Sequence, residues 1–318
     1  TPSNLQNACS INLGIGGEYI TLFAGTMDAV AYIGNKSSIT LIDKFKKLSD
    51  RIIGDATSAV AYTSSNYLVH DMAWYACTSM GNLSAITSTS NTDIDYTSFS
   101  SWTSVFSADG TRIQGNFTGQ RVVEILQKLA NLTQSSIWVE NNKLKFSRFS
   151  LASAAVSSLA DINVIDTLTT LDARSLINQF YVGALYNVNS RSFAYTVNAI
   201  DSNSVGSYGL HQDNSMETAV WLVDSTSALN LAQRVITTNK DIKGNFDVTT
   251  PLQAIFGTIG DILTYSDSRL GITAQAYRCM AETIDMNNAT KTYRFNQTQI
   301  NNGFRLDFSA MDSSDILL

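Results

Sequence analysis

The chain has 318 residues, which is enough for more than one hydrophobic core, and 44% of them are hydrophobic. Only 15% are charged and the formal net charge is −6, so a surface that binds nucleic acid by neutralising phosphates is not expected. The three cysteines, Cys9, Cys77 and Cys279, lie far apart without a CxxC pair, so neither a zinc knuckle nor a disulfide framework is indicated. No apolar run reaches the ~18 residues of a transmembrane helix, so stable membrane insertion is not expected.

The first segment has the alternation and turn residues of β-structure. Strands are predicted at 19–23, 27–33 and 38–43, with turns at Gly25 and at Gly34-Asn35. The glycines of "NLGIGGEY" lead into another strand, whereas a dinucleotide fingerprint needs them between a strand and a helix. Residues 1–55 are therefore predicted to be a first β-barrel domain, completed by strands after Asn163.

The second segment, residues 56–150, is predicted to be an α+β module. A helix near 67–80 is expected to stop at Gly81. A clearer helix follows Thr118, which is expected to cap it. Its apolar stripe consists of Val122, Ile125, Leu126, Leu129 and Leu132. Asn141-Asn142 then predicts a tight hairpin between two strands.

Strands resume after Asn163, with a turn near Asn189-Ser190. A helix at 225–238, capped by Asp224 or Ser225, carries the stripe Leu229, Ala232, Val235 and Ile236, and residues 205–239 are predicted to be a small helical insertion. Pro251 has a fixed φ and no N–H, which suits the first residue of a strand. Gly260-Asp261 predicts a turn into a strand at 262–265, and 274–286 alternates as another strand.

This order of segments predicts an α+β fold that is mainly β. It has two β-barrel, tube-like domains with smaller α+β modules inserted. The second barrel is assigned to residues 151–204 and 240–318.

No motif points to catalysis. HExxH, GxSxG and P-loop patterns are absent from the sequence, and His70 and His211 have no partner at a recognisable spacing. Asp93 and Asp95 lack the distal Glu of a calcium loop. No catalytic residue, metal site or cofactor is therefore predicted.

The aromatic residues Tyr96, Phe99, Trp102 and Phe106 have strand-and-turn spacing. A core or a subunit contact explains them better than a sugar-binding platform does, yet the platform defines an alternative function, a carbohydrate- or receptor-binding β-protein. A glycoside hydrolase is a weaker alternative, because it needs two carboxylates brought together by the fold and the sequence selects no pair.

Four stretches carry a resemblance to a known family. They are "LFAGTMDAVAYIGNKSSITLIDKFKKLSDRIIGD", "FTGQRVVEILQKLANLTQSSIWVENNKLKF", "STSALNLAQRVI" and "VTTPLQAIFGTIGDILTYSD". In order and hydrophobic pattern they resemble the baseplate-hub, or tail-tip, family of tailed bacteriophages, which also occurs at the base of contractile secretion spikes. The likeness extends over roughly residues 10–300, and the final "FRLDFSAMDSSDILL" has no counterpart of the cell-wall hydrolase that many tail-tip proteins carry.

The resemblance implies a structural virion protein rather than an enzyme. Three chains with two barrels each would form a six-barrel ring at the distal end of the tail tube. This homotrimer, made in the host cytoplasm, would join the tube or a distal tail protein to the tape-measure or spike protein and to fibre or tip proteins. It would open for DNA, which meets the protein only in transit, so an acidic or neutral pore surface is expected. The predicted interface residues are Val122, Ile125, Leu129, Leu229, Val235, Trp102 and Phe106.

Overall fold

The structure is a computed structural model that describes most of the chain. The described residues are 8–15, 18–33, 36–53, 63–83, 93–117, 119–148, 155–160, 163–172, 176–187, 189–214, 221–241, 243–252, 257, 259–268, 272–285 and 288–297. Two compact units are formed, the first by residues 1–149 and 177–240 and the second by residues 150–176 and 241–318. No helix within the described ranges is long and apolar enough to cross a bilayer.

The secondary structure is mainly β, with helices concentrated in the first unit. The strands are β1 (Ala8–Ile15), β2 (Glu18–Ile33), β3 (Lys36–Ile42), β4 (Thr63–Leu68), β5 (Arg112–Asn116), β6 (Ser135–Glu140), β7 (Lys143–Arg148), β8 (Ser157–Ala160), β9 (Asp166–Asp172), β10 (Gln179–Asn187), β11 (Ser192–Ile200), β12 (Gln212–Asn214), β13 (Lys243–Pro251), β14 (Ile262–Asp267), β15 (Ile272–Asp285) and β16 (Thr290–Gln297). The helices are α1 (Lys44–Asp50), α2 (Val69–Tyr75), α3 (Tyr96–Asp109), α4 (Val122–Thr133), α5 (Ser202–Tyr208) and α6 (Ser225–Asn239). A π-helical turn, Ala76–Met80, extends α2 to Gly81, where the sequence predicted the stop.

The predicted α4 helix and the hairpin after it are confirmed. Its stripe is buried, and the carboxylate of Glu124 accepts the N–H of Arg121 at 3.1 Å, which starts the helix at Val122. The hairpin β6–β7 turns at Asn141-Asn142, where φ is 49° and 59°, the left-handed conformation that a two-residue turn requires. Thr118, the predicted cap, lies outside the described residues.

The core of the first unit lies between its helices and the sheet β11-β10-β12. Helix α6 packs on β10 and β11, and the segment before it is joined to β5 by a bridge between Ile113 and Leu222. The side chain of Asp224 accepts the N–H of Ser227 at 2.7 Å and caps α6, as predicted. Because this packing forms one core, 177–204 belongs with the first unit, whereas the sequence placed it with 240–318.

A buried ion pair crosses this core. The guanidinium of Arg234 on α6 is 6% exposed, forms an ion pair with Asp109 at the end of α3, and donates to the carbonyl oxygen of Leu132 at 2.9 Å. Burial lowers the pKa of Arg234 to about 10, while the charge of Asp109 opposes the shift. Arg234 therefore stays charged at neutral pH and connects α6 to α3 and α4.

The second unit is a curled, half-barrel sheet of six strands in the order β8-β14-β15-β16-β13-β9. Its buried cluster consists of Leu159, Phe246, Val248, Leu263, Tyr265, Tyr277, Cys279, Tyr293 and Phe295. The predicted turn at Gly260-Asp261 is confirmed, since Gly260 has φ 92° and its N–H donates to the carbonyl of Cys279 at 2.9 Å. In the described residues β8 and β9 lie at opposite edges, so closure into a barrel stays a prediction.

Two local predictions are wrong. Pro251 is the last residue of β13 rather than the first of a strand. It pairs with Thr290 of β16. The pairing of β13 with its other neighbour, β9, ends at Thr249, so no N–H is needed from residue 251 on the β9 side. Gly25 is not a turn, because β2 runs through it as one 16-residue strand. The turn at Gly34-Asn35 lies outside the described residues.

We expect Asp109→Ala to lower the free energy of unfolding by about 3 kcal/mol, since it leaves the Arg234 charge buried without its partner. The exposed pair of Lys46 and Asp50 supplies the control, and Asp50→Asn should cost less than about 0.5 kcal/mol. Urea denaturation monitored by Trp fluorescence measures both. Equal losses in the two variants would contradict a dominant role for the buried pair.

We also expect Gly183→Ala in β10 to destabilise the first unit. A Cβ there would lie 2.4 Å from the ring of Phe193 on the neighbouring strand, which predicts a loss of about 1–3 kcal/mol from overpacking. The same change at Gly206 in α5, where no atom lies within 4 Å, should be neutral or slightly stabilising. Thermal unfolding of both variants decides the matter, and a neutral Gly183→Ala would refute the packing argument.

Candidate assembly surfaces

The N-terminal sheet is an antiparallel meander of β1, β2 and β3. Cys9 pairs with Gly25, Met27 with Leu41 and Val30 with Ile39. A register shift between Met27 and Ala29 marks a bulge at Asp28, which brings residues three apart in β2 to the same side of the sheet. No strand after Asn163 pairs with this sheet in the part of the chain that the structure describes.

The pairing divides the sheet into an apolar side and a side of mostly small or polar residues, because opposite residues share a face and alternate residues do too. The apolar face, as we call it, consists of Cys9, Ile11, Gly25, Met27, Val30, Tyr32, Ile39 and Leu41. The other side carries mostly small or polar residues, among them Ala8, Ser10, Ala24, Thr26, Ala29, Ala31 and Thr40, together with Ile42.

The apolar face is open to solvent at three of its largest side chains. Tyr32 is 80% exposed, Ile39 54% and Ile11 49%, and none of the described apolar side chains of this sheet is buried. A three-stranded sheet without a packed face is marginal by itself. A contiguous exposed apolar surface next to open strand edges is typical of a protein–protein contact.

The residues predicted from sequence for the interface lie elsewhere. Six of the seven are 5% exposed or less, in the core of the first unit: Trp102, Phe106, Val122, Ile125, Leu129 and Val235. Since this chain's own residues cover them, they are not available to a neighbouring subunit. Leu229, which is 37% exposed on α6, is the one for which a subunit contact stays a prediction.

The four aromatic residues share helix α3 instead of alternating along a strand. Phe99, Trp102 and Phe106 are buried. Phe99 and Trp102 pack with Phe146 of β7, Phe106 packs on Trp102, and the indole N–H of Trp102 donates to Ser135 Oγ at 2.9 Å. Tyr96 is 45% exposed. A flat sugar-binding platform of these rings is therefore not formed.

Most of the polar residues considered for chemistry have structural partners. Asp93 forms an ion pair with Lys44, and Asp95 caps α3 by accepting the N–H of Ser98 at 2.8 Å. His70 is buried in α2, while the backbone N–H of His211 donates to Asn178 Oδ1 at 2.7 Å. Among the described residues, no group of three His, Cys, Asp or Glu side chains is placed to hold a metal ion.

The second unit has a polar surface on residues of β13 and β16 that alternate with its buried cluster. Arg294 and Asp247 form a two-point ion pair at 3.0 Å across β16 and β13, and the hydroxyls of Thr249 and Thr292 lie 3.0 Å apart. Leu168, on the edge strand β9, is 63% exposed. This surface is less apolar than the N-terminal sheet, so the stronger candidate for assembly is the apolar face.

The three cysteines differ in exposure. Burial raises the pKa of the Cys77 thiol, and burial together with the charge of Glu282 raises that of Cys279 to about 12. Cys9 is only half-buried and lies on the apolar face. It is therefore positioned to report whether that face is covered.

Sequence reasoning missed the apolar face because of one inserted residue. Alternation is visible in β3, where Ile39 and Leu41 are two apart, but the bulge at Asp28 interrupts it in β2. Met27 and Val30 are three apart, a spacing that does not suggest one face of a strand. The pattern becomes regular only when the register is known.

No protein-family model matches the sequence, and no curated protein matches it. Solved structures do match. The 43 kDa tail protein of prophage MuSo2 from Shewanella oneidensis is 18% identical, with a TM-score of 0.57 over 94% of this chain and 85% of that one. A tail protein from Neisseria meningitidis MC58 is 14% identical, with a TM-score of 0.55 over 93% and 85%. Prophage tail protein gp18 from Listeria monocytogenes EGD-e is 15% identical, with a TM-score of 0.52 over 89% and 81%. At these identities the likeness concerns the fold, and the fold is that of phage tail proteins.

A thiol-labelling experiment tests the burial of the cysteines. At pH 8 only roughly 10⁻⁴ of Cys279 would be thiolate, so a thiol reagent should modify Cys9 first in the native chain and reach Cys77 and Cys279 only after denaturation. Mass spectrometry of tryptic peptides identifies the modified residue. Early modification of Cys77 or Cys279 in native protein would contradict the structure.

Proposed function

We propose that the chain is a structural protein of a phage tail, namely the hub that closes the distal end of the tail tube. The fold it shares with three tail proteins, over at least 89% of its length, is the observation that supports this proposal most. The segment order from which the sequence analysis inferred a hub supports it independently. The role is mechanical rather than enzymatic, and the chain needs no cofactor for it.

The hub is a homotrimer in this proposal. The apolar face and the edges of β1 and β3, which pair with no further strand among the described residues, need a cover, and copies of the same chain arranged with closed cyclic symmetry supply it without forming fibres. Three copies fit the threefold hub of the family that the sequence resembles. The two β-rich units of each chain would then present six faces to a sixfold tube.

The partners follow from this position in the particle. The ring would contact the tail tube or a distal tail protein on one side, and the tape-measure or spike protein and fibre or tip proteins on the other. DNA would pass through without binding, because a net charge of −6 per chain repels phosphates when it is repeated around a ring. A continuous Lys/Arg belt along the channel, or salt-sensitive binding of the protein to duplex DNA, would contradict this.

A matched pair of substitutions on β3 tests self-association. Ile39→Asp places a charge on the apolar face, whereas Thr40→Asp places the same charge on the opposite side of the same strand. Sedimentation should show a trimer for the unmodified chain and for Thr40→Asp, and a folded monomer for Ile39→Asp, because burying an unpaired carboxylate in a subunit contact is costly. Modification of Cys9 should be slow in the trimer and fast in the monomer.

Imaging of assembled particles tests the position. Three copies at the distal end of the tail are expected. Two or six copies at that end would refute the assignment of the chain as the hub. A chain that stays a stable monomer at concentrations far above those in the particle would refute it as well.

A further inference from the structure

An exposed basic patch lies where α1 ends and α4 begins. The two segments run antiparallel, with the N–H of Ile53 donating to the carbonyl of Gln120 at 3.0 Å and that of Val122 to the carbonyl of Arg51 at 3.1 Å. Ile52 and Arg121 form a β-bridge, so their side chains are neighbours. Lys47, in the last turn of α1, is one helical turn before Arg51. The basic patch, defined here as Lys47, Arg51, Ile52 and Arg121, is thus held by backbone hydrogen bonds.

The charges of this patch have no ion-pair partner among the described residues. Lys47, Arg51 and Arg121 are all exposed, and none of them forms an ion pair with any residue in the described ranges. Two described carboxylates close to the patch in sequence have other contacts, since Asp50 pairs with Lys46 and Glu124 accepts the backbone N–H of Arg121. Three free cations in a chain of net charge −6 therefore stand out as a local positive surface.

The patch also contains an exposed apolar residue. Ile52 is 47% exposed beside Arg121. A nucleic-acid surface gains affinity from cations along a stripe of phosphates, and an isoleucine among them adds nothing to that. Cations around an apolar residue match a peptide in which carboxylates flank apolar side chains.

The sequence contains such a peptide. Residues 307–318 read "DFSAMDSSDILL", with Asp307, Asp312 and Asp315 and with no Lys or Arg after Arg305. Asp315 directly precedes Ile316, Leu317 and Leu318, so a carboxylate and an apolar group are adjacent, as the cations and Ile52 are in the patch. This segment lies outside the described residues.

We propose that the basic patch of one chain binds the segment 307–318 of a second copy. Such a contact joins one surface of the first copy to a different surface of the second copy. This is the heterologous kind of contact, which closes a ring. The inference rests on the proposed self-association and names a further contact within it. It is separate from the apolar face, so the two can fail independently.

Charge exchange between the two surfaces tests the proposal on the full chain. One variant combines Arg51→Glu with Arg121→Glu, and another combines Asp312→Arg with Asp315→Arg. Amide hydrogen exchange of 307–318 should be roughly threefold to tenfold faster in either variant than in the unmodified chain, because each removes two exposed ion pairs. Mixing the two variants should restore slow exchange of 307–318 in the chains that carry the arginines. Only a contact between copies can do this, since neither chain has a matched pair of its own.

The control is Arg191→Glu, which changes an exposed cation in the turn between β10 and β11 and should leave the exchange of 307–318 unchanged. Unaltered exchange in both charge-reversed variants would overturn the proposal, as would a mixture that does not restore protection. Loss of duplex DNA binding in Arg51→Glu/Arg121→Glu, with the exchange of 307–318 unaffected, would overturn it in favour of a nucleic-acid surface. Sedimentation of the same samples separates this proposal from the proposed trimer. If the chain is a trimer but the charge reversals leave the exchange of 307–318 unchanged, only the contact with the basic patch is refuted.

Discussion

The buried pair of Arg234 and Asp109 is the interaction on which the first unit depends. This unit is built from two stretches of chain, 1–149 and 177–240, and the ion pair joins one stretch to the other. Arg234 also donates to the carbonyl of Leu132, so α6 is connected to the ends of both α3 and α4. A buried charge must be paired to be tolerated, and this requirement restricts how α6 can pack. With α6 in place, one face of β10 and β11 is packed against the core.

That core explains why the conspicuous apolar residues do not mark the assembly surface. The stripes of α4 and α6 and the aromatic residues of α3 contact one another, and the hydrophobic effect is satisfied within a single chain. The apolar face of the N-terminal sheet is the opposite case, since Ile11, Tyr32 and Ile39 are exposed and none of its described side chains is buried. A surface of this kind gains free energy only by association.

The two candidate contacts differ in physical character. The apolar face offers a contact area for the hydrophobic effect, which has no directional preference. A bulge at Asp28 determines which residues contribute to this face. The basic patch offers few atoms but a defined charge pattern, held by the hydrogen bonds between α1 and α4. In protein interfaces the first kind contributes mainly to affinity and the second to register and partner choice.

The sequence by itself determined the mainly β character, the two longest amphipathic helices, the Asn141-Asn142 hairpin and the turn at Gly260, because each depends on contacts within about a dozen residues. Tertiary structure alone decided which apolar residues are exposed. Trp102 and Leu229 are both apolar residues on helices. Trp102 is buried against Phe146 of β7, whereas Leu229 is 37% exposed. The position of Pro251 at the end of β13 and the bulge in β2 likewise depend on strand register, which long-range pairing sets and local sequence does not encode.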